Sequence, residues 1–386
     1  MTATAEDGNI LLIEPFYSGS HKVLMDLIHD ALKSSSGTPS PVLVTLPGKK
    51  WHWRARTSAL HFSQTIPVNR YTCVFASCVL PLHELVGLRL DIQSAKKIIY
   101  FHENQLVYPV RKSKDRDFQY GYNQILSCLA ADQVWFNSDF NKESFLSNLH
   151  SFFKLQPDFR PKNLRQQIEP KCHVKYFPLE FKKMDEAIRN LPIPANESGL
   201  VQIVWPHRWE FDKNPEMFFR VIYRLVESGT TNFKIHVLGE SFTENPQIFS
   251  EAQSKLNKEF IGHFGYLATK EEYYQVLAES NIAISTSTHE FFGVAMMEAT
   301  YLGCTPICPN GLVYPELYSK AGYLYKDEND LYHLLKTFIM QPSKLCEGRV
   351  RLDFSIFDWE TLRPKYLQDL LSQENCDTIC PNSELN

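Results

Sequence analysis

Asn281-Ile-Ala-Ile-Ser-Thr-Ser-Thr-His-Glu-Phe-Phe-Gly-Val-Ala-Met-Met-Glu-Ala-Thr-Tyr-Leu-Gly-Cys-Thr-Pro-Ile-Cys308 carries a short apolar run, a polar loop, an apolar stretch and a second apolar run. Residues 281–285 read as a buried strand. The segment opening at Phe292-Gly293-Val294 reads as a helix, and residues 305–308 as the next strand. Two strands joined through a helix pair in parallel, and both faces of such a sheet are covered. Glu290 falls in the loop after the first strand, and Glu298 in the helix. A helix N-terminus offers free amides and positive dipole character, which suits a phosphate. Glycine at 293 removes a side chain from that approach. Carboxylates accept hydrogen bonds from hydroxyls, so a ligand with phosphates in the middle and sugars at both ends fits this pair. An acidic residue that merely stabilises its helix fits the spacing equally well.

The alternation extends upstream. Val201–Trp205 and Phe233–Leu238 read as strands, with a short strand near 259–264. Helices are expected at 214–227, 245–257 and 270–279, the first with proline just after an asparagine cap. An earlier series starts at Asn9–Glu14, followed by the turn residues of Pro15–His21 and an amphipathic helix over 22–33. Residues 41–45, 73–76, 97–101 and 133–136 read as further buried strands, with a helix around 120–131. Residues 151–200 break the pattern with six prolines, and Leu191–Gly199 is the best boundary. The fold class is therefore α/β, with a first domain over 8–190 and a second over 200–350. A tail helix over 358–373 completes the first. Ligands of paired sheets of this kind bind at the carboxyl ends of the strands.

At 386 residues, two domains are the ordinary expectation. Composition is that of a globular protein, with 44% apolar and 22% charged residues. No apolar run is long enough to span a membrane, and the polar N-terminus lacks a signal-peptide layout. Nine cysteines without framework spacing point to a reducing compartment, cytosol or nucleus. Net charge is uneven. Residues 1–200 hold 24 Lys and Arg against 19 Asp and Glu, a net of +5, and residues 201–386 a net of −9. A basic half suggests a polyanionic partner, although scattered solvated charges explain it as well.

Lys49-Lys-Trp-His-Trp-Arg-Ala-Arg56 sets four cations and two tryptophans within eight residues. Cations bind phosphates, and indoles stack on bases. A surface loop with a buried tryptophan is the plain alternative. Arg111-Lys112, continuing to Arg116, forms a second basic cluster, and Arg160, Lys162, Arg165 and Lys171 a third. His102, Glu103 and Asn104 end a strand and are expected to point into the cleft. A lone histidine there is otherwise usually structural. Asp115-Arg-Asp117 has a metal-motif spacing but sits among basic residues, not after a buried strand. Cys304-x3-Cys308 and Cys376-x3-Cys380 lack zinc spacing. No metal site is expected.

Glu290-x7-Glu298 with Phe292-Gly293 and Gly303-Cys-Thr-Pro-Ile307 resembles the donor site of the retaining GT-B glycosyltransferases of family 4. Trp205-Pro-His-Arg-Trp-Glu-Phe-Asp-Lys-Asn214 resembles their diphosphate loop, which implies that Arg208 and Lys213 grip the donor. His236–Glu240 resembles the next strand, ending at Gly239. Phe264-Gly-Tyr-Leu267 resembles the nucleobase cradle, with Tyr266 and Leu267. Ser18-Gly-Ser-His21 resembles the loop that closes over the donor, with Gly19 and Ser20. The resemblance covers nearly the whole chain. It implies a GT-B fold of two Rossmann-like, doubly wound parallel-sheet domains facing a cleft. It also implies a donor set that includes Phe292, Gly293 and Val294, with Glu290 on the sugar, Glu298 on the ribose, and no metal.

Three N-terminal segments are similar to a narrower family, the tRNA-queuosine mannosyltransferases. They are Lys49–Arg56, Tyr100-Phe-His-Glu-Asn-Gln105 and Asp117-Phe-Gln-Tyr-Gly-Tyr-Asn-Gln124. That likeness implies transfer of mannose from GDP-mannose to queuosine in the anticodon of tRNA-Asp. It places His102, Glu103 and Asn104 by the sugar and acceptor. It places Lys49, Lys50, Trp51, His52, Trp53, Arg54, Arg56, Arg111 and Lys112 on the tRNA. A lipid or protein acceptor remains the nearest alternative, and a catalytically silent RNA-binding protein a more distant one.

Overall fold

The computed structural model describes residues 8–35, 40–108, 117–189, 199–240, 246–318, 323–347 and 352–372. Among the described residues, twelve strands form two sheets. The first contains β1 (Asn9–Tyr17), β2 (Pro41–Pro47), β3 (Tyr71–Ser77), β4 (Lys96–Phe101), β5 (Gln133–Phe136) and β6 (Cys172–Val174), in the order β2-β1-β3-β4-β5-β6. The second contains β7 (Val201–Pro206), β8 (Phe233–Leu238), β9 (Ile261–Gly265), β10 (Ile282–Ile284), β11 (Thr305–Pro309) and β12 (Tyr323–Tyr325), in the order β12-β11-β10-β7-β8-β9. All the strand pairs are parallel. Helices cover both faces, which is why Ile10–Ile13, Ile98–Phe101 and Ile282–Ile284 are wholly buried.

Strand order reverses between β1 and β3 in the first sheet and between β7 and β10 in the second. Loops leaving adjacent strands in opposite directions open a crevice at such points. The loops after β7 and β10 flank the second crevice, and they carry Arg208, Lys213 and Glu290.

One apolar core runs from the first sheet into the second. It holds Phe177, Leu179, Phe181 and Met184 together with Phe292, Met296, Phe357, Trp359 and Tyr366. The C-terminal helix Trp359–Leu371 returns to the first sheet. Leu179 N donates to Phe357 O at 2.8 Å, and Trp359 N to Leu179 O at 2.8 Å. Tyr366 packs edge-on against Trp135 at 5.4 Å, and Lys96 Nζ donates to Asp369 O at 2.8 Å. Burial of Leu362 and Leu370 stabilises this docking by about 1.5–3 kcal/mol each.

The two halves also meet through hydrogen bonds. Ser138 Oγ donates to Phe291 O at 2.7 Å. Glu316 accepts from Asp139 N at 3.0 Å, Phe140 N at 2.8 Å and the Tyr176 hydroxyl at 3.0 Å. A carboxylate from the second half thus satisfies the opening amides of a helix in the first.

The structure differs from the sequence reading in several places, among them the helix Glu328–Met340, which no expectation covered. Within 151–200 it forms β6 and the helix Phe181–Ile188, and it adds β12. Three-residue strands at sheet edges carry too little periodicity to be read. Gly19 and Ser20 do not lie in a loop; they open the helix Gly19–Ser34. Trp51–Arg56 likewise lies in a helix, Trp51–Thr65. The boundary stretch 191–198 lies outside the described residues.

Candidate active site

Lys213 ends a short helical turn after β7 and is buried there because Asn214, at φ 49°, turns the chain into the next helix. Its ammonium lies 3.1 Å from Asp212 Oδ2 and 3.1 Å from Glu290 Oε2, and it donates to His289 O at 3.1 Å. Two hydrogen bonds, to His289 O and Glu290, and one ion pair, to Asp212, hold it. Burial by itself pushes the Glu290 carboxyl up, but Lys213 outweighs it and holds the group down to about 2. Burial, reinforced by Lys213, lowers His207 and His289 to about 4, so both are neutral near pH 7. Arg208 differs from Lys213. Its side chain is 51% exposed and pairs with Glu210 at 3.2 Å, which leaves donors for a ligand.

The amide of Gly293, expected to be free for a phosphate, is not. Glu290 Oε1 accepts from Gly293 N at 3.1 Å and from Phe291 N at 3.2 Å. The helix Val294–Tyr301 keeps its Val294 and Ala295 amides without a protein acceptor among the described residues. The need for glycine at 293 is conformational, since φ is +80° and an added Cβ would meet only ordinary contacts. Gly239 is required for space: a Cβ there would lie 1.9 Å from His207 O. Phe292 was expected on the donor. Its ring instead packs against Tyr176, Phe177 and Phe357 in the core between the halves. Val294 and Leu267 also rest partly buried on that core.

Glu298 is buried and accepts from Lys270 Nζ at 3.1 Å and the Tyr274 hydroxyl at 3.4 Å. Tyr266 is exposed beyond the end of β9. A cavity of about 170 Å³ among Trp209, Phe249 and Phe264 is smaller than ordinary ligand pockets.

Opposite, at the carboxyl end of β4, His102 is buried and its Nε2 has no partner among the described residues. Its ring stacks on His21 with centroids 3.9 Å apart. Glu103 lies 3.4 Å from His21 Nε2, and Glu14 lies 3.1 Å from His21 Nδ1. Asn104, expected to point into the cleft, turns the other way. It donates to Asn141 Oδ1 at 2.9 Å and Ser144 Oγ at 3.0 Å, tying the loop to the helix Asp139–Phe152. The two crevices face each other. Tyr108, from the first half, packs edge-on against His289 of the second at 4.6 Å. Burial, then the nearby Asp212 carboxylate, pushes the Tyr108 phenol up.

Glu14, His21 and Tyr108 had no assigned role in the sequence reading. An acidic residue closing the apolar run Ile10–Ile13 was the available signal for Glu14. Glu14, His21 and His102 bring potential metal-ligand atoms within 4.8 Å of one another. The imidazole lone pairs lie in the ring planes, and these planes are stacked at 26°, so they run side by side instead of converging.

The basic segment is split by its helix. Lys49, Lys50, His52 and Trp53 are exposed. Trp51 and His52 pack on Tyr120 at 5.0 and 5.8 Å, and Arg56 lies over both Trp53 and Tyr120 at 5.4 Å. Arg54 Nε donates to Pro47 O at 3.4 Å. Arg111, Lys112 and Asp115 lie outside the described residues. No helix among the described residues is long and apolar enough to cross a membrane.

The family described as tRNA-queuosine alpha-mannosyltransferase N-terminal matches residues 9–179, and the family Glycosyl transferases group 1 matches residues 190–347. A Drosophila melanogaster protein named tRNA-queuosine alpha-mannosyltransferase is 46% identical over 377 residues, covering 96% of this chain and 98% of its own. Among solved structures, Anabaena HepE in complex with UDP-glucose aligns with a TM-score of 0.63 at 14% identity, covering 94% of this chain and 99% of that one. Sucrose-phosphate synthase from Thermosynechococcus elongatus aligns with a TM-score of 0.64 at 14% identity, covering 94% and 98%. These structural neighbours are GT-B glycosyltransferases, and the chain has their fold.

Proposed function

The chain belongs to the tRNA-queuosine alpha-mannosyltransferase family, and from that premise we propose that it transfers mannose from GDP-mannose to the cyclopentene diol of queuosine at the wobble position of tRNA-Asp. The observation that carries this reading is geometric. The Lys213–Glu290 pair and the half-exposed Arg208 lie at the strand ends of one sheet, and His102, with an unpartnered nitrogen, lies at those of the other. Tyr108 against His289 brings the two together.

The donor lies along the second crevice in this reading. Arg208 and the Val294 and Ala295 amides meet the diphosphate, and Lys213 holds Glu290 ionised toward the mannose hydroxyls. Glu298 takes the ribose hydroxyls, and Tyr266 and Leu267 flank the base. The bond from the anomeric carbon to the diphosphate oxygen breaks while the acceptor oxygen bonds to the same face. The acceptor proton passes to the departing phosphate oxygen. Charge accumulates on that phosphate, and preorganised cations and amides stabilise it. The configuration is retained, and no side chain acts as a nucleophile.

Arg208 and Lys213 supply the positive charge that a metal ion supplies elsewhere, so the reaction is metal-independent. Transfer is expected to continue in excess chelator at the untreated rate. Loss of activity that manganese or magnesium restores would refute this.

The tRNA rests on the first half through Lys49, Lys50, Trp53, Arg54 and Arg56. Each neutralised phosphate releases counterions, so affinity falls steeply with salt. Replacing Lys49, Lys50, Arg54 and Arg56 together by glutamine is expected to flatten the salt slope and leave GDP binding intact. An unchanged slope in filter binding would place the tRNA elsewhere. The deciding experiment for the whole reading is transfer of label from several sugar nucleotides to total tRNA with and without queuosine. Label from GDP-mannose appearing only with queuosine supports it, and a lipid- or protein-borne label overturns it.

A further inference from the structure

Glu14 lies within β1, and His21 lies in the opening turn of the helix that follows. Glu14 is fully buried. Its Oε1 accepts from Phe16 N at 2.8 Å and from Ser77 Oγ at 2.9 Å. Its Oε2 lies 3.1 Å from His21 Nδ1, and the other ring nitrogen, Nε2, lies 3.4 Å from Glu103 Oε2. An ionised carboxylate only accepts hydrogen bonds. An imidazole with a carboxylate oxygen facing each nitrogen favours the form that carries a proton on both. The face of that ring meets the face of His102 at 3.9 Å and 26°. Tyr100 and Phe177 bound His102 at 4.8 and 6.0 Å.

We propose that His21 is a positioning residue for the glycosyl transfer: pinned at both ring nitrogens by Glu14 and Glu103, it fixes the ring plane of His102 and so the direction in which His102 Nε2 is presented. The inference rests on the reading of the cleft given above, and it assigns a task to three residues which that reading leaves idle. Burial acts to lower His21, but Glu14 and then Glu103 outweigh it and raise the group to about 10. His102 is held well below the usual histidine range, first by burial and then by the His21 charge. One ring is thus held as a cation near neutral pH and the other neutral. A neutral imidazole hydrogen-bonds a hydroxyl without intercepting the proton that the departing phosphate receives. Among the described residues, the other titratable groups nearby are Tyr100, whose phenol burial pushes up, the Cys78 thiol, which donates to Glu103 O at 3.2 Å, and Tyr108 and His289, which sense the Glu103 charge. Burial keeps the Cys78 thiol protonated, the Tyr108 phenol is pushed up, and His289 is held near 4, so none of them changes charge near neutral pH.

The test has two arms on the full-length chain. Nitrogen NMR of the ligand-free protein at pH 8 is expected to show His21 protonated at both nitrogens and His102 neutral. A neutral His21 overturns the proposal, and so does stoichiometric zinc that shifts both rings. In the second arm, Glu103→Gln and Glu14→Gln are compared with the wild type in single-turnover transfer. The expected loss is roughly 10²-fold, as for a misplaced catalytic geometry, with GDP-mannose and tRNA affinities unchanged. With one carboxylate neutralised, His21 moves toward its ordinary range, and the variant's rate gains an inflection between about pH 5 and 8 that the wild type lacks. A variant with wild-type rate and wild-type pH profile overturns the proposal. Should a variant fail to fold, the NMR arm decides on the wild-type chain. A wild type that moves no mannose to queuosine-bearing tRNA unseats the proposed function instead, while the NMR arm still reports on His21.

Discussion

tRNA-Asp with unmodified guanine at the wobble position is expected to bind the enzyme and accept no mannose. In the proposed reading, binding draws on phosphates and on Lys49, Lys50 and Trp53, which are exposed and do not sense the base modification. Acceptance depends on the cleft. There, His102 Nε2 and His289 Nε2 are buried and have no partner among the described residues. A ligand hydroxyl that pairs with such a nitrogen removes a desolvation cost, and an acceptor without the diol leaves that cost in place. Sites built to hydrogen-bond a hydroxyl reject the analogue lacking it by about 10⁴. The measurement is single-turnover transfer to tRNA-Asp with and without queuosine, beside queuosine-bearing tRNA-Tyr. Equal transfer to the unmodified tRNA would refute the acceptor assignment and leave a glycosyltransferase of another specificity.

Arg208→Ala and Lys213→Ala are expected to share a loss of transfer and to differ in stability. Removal of one donor that stabilises developing charge costs about 10²–10³ in rate. Arg208 is half exposed and, among the described residues, pairs with Glu210 alone, so its alanine variant should melt like the wild type. Lys213 is buried between Asp212 and Glu290. Its removal strands two carboxylates and costs about 3–5 kcal/mol. The pH dependence follows from the shift of Glu290. Its folded value, about 2, lies below that of the unfolded chain. The wild type therefore has this stabilisation in full above the unfolded value of about 4.3, and loses it as pH falls toward 2. Without Lys213, burial dominates and raises the folded value above the unfolded one. The variant's deficit is then full at pH 7 and shrinks as pH falls through that raised value. Urea unfolding of both variants at pH 7 and at about pH 4 checks this. A Lys213→Ala chain as stable as the wild type at pH 7 would show that the ion pair is not structural. Wild-type turnover in both variants would remove the diphosphate assignment.

The long strands and the donor loops were legible in the sequence because their signals are local. Apolar runs such as Ile10–Ile13 and Ile98–Phe101 identify buried strands without reference to their neighbours, and Asn214-Pro215 marks a helix start by its own chemistry. Glu290 and Lys213 could be placed in loops after strands, since a loop's position follows from the strand before it. The edge strands β6 and β12 were not legible because three partly exposed residues at a sheet edge form neither a period nor a wholly buried apolar run, unlike the equally short central β10.

Side-chain direction was a matter for the tertiary structure. Asn104 and Phe292 lie next to cleft residues in sequence, but packing turns Asn104 onto the helix Asp139–Phe152 and Phe292 into the core between the halves. The Gly293 amide is a free donor by sequence logic until Glu290 folds back onto it. The His21 cluster joins a strand end, a helix turn and a loop far along the chain. A carboxylate acquires its partner only when chain closure brings distant segments within hydrogen-bond reach. Local composition therefore identifies the strand that carries Glu14 and the loop that carries Glu103, but only the packed sheet sets them on opposite nitrogens of one ring.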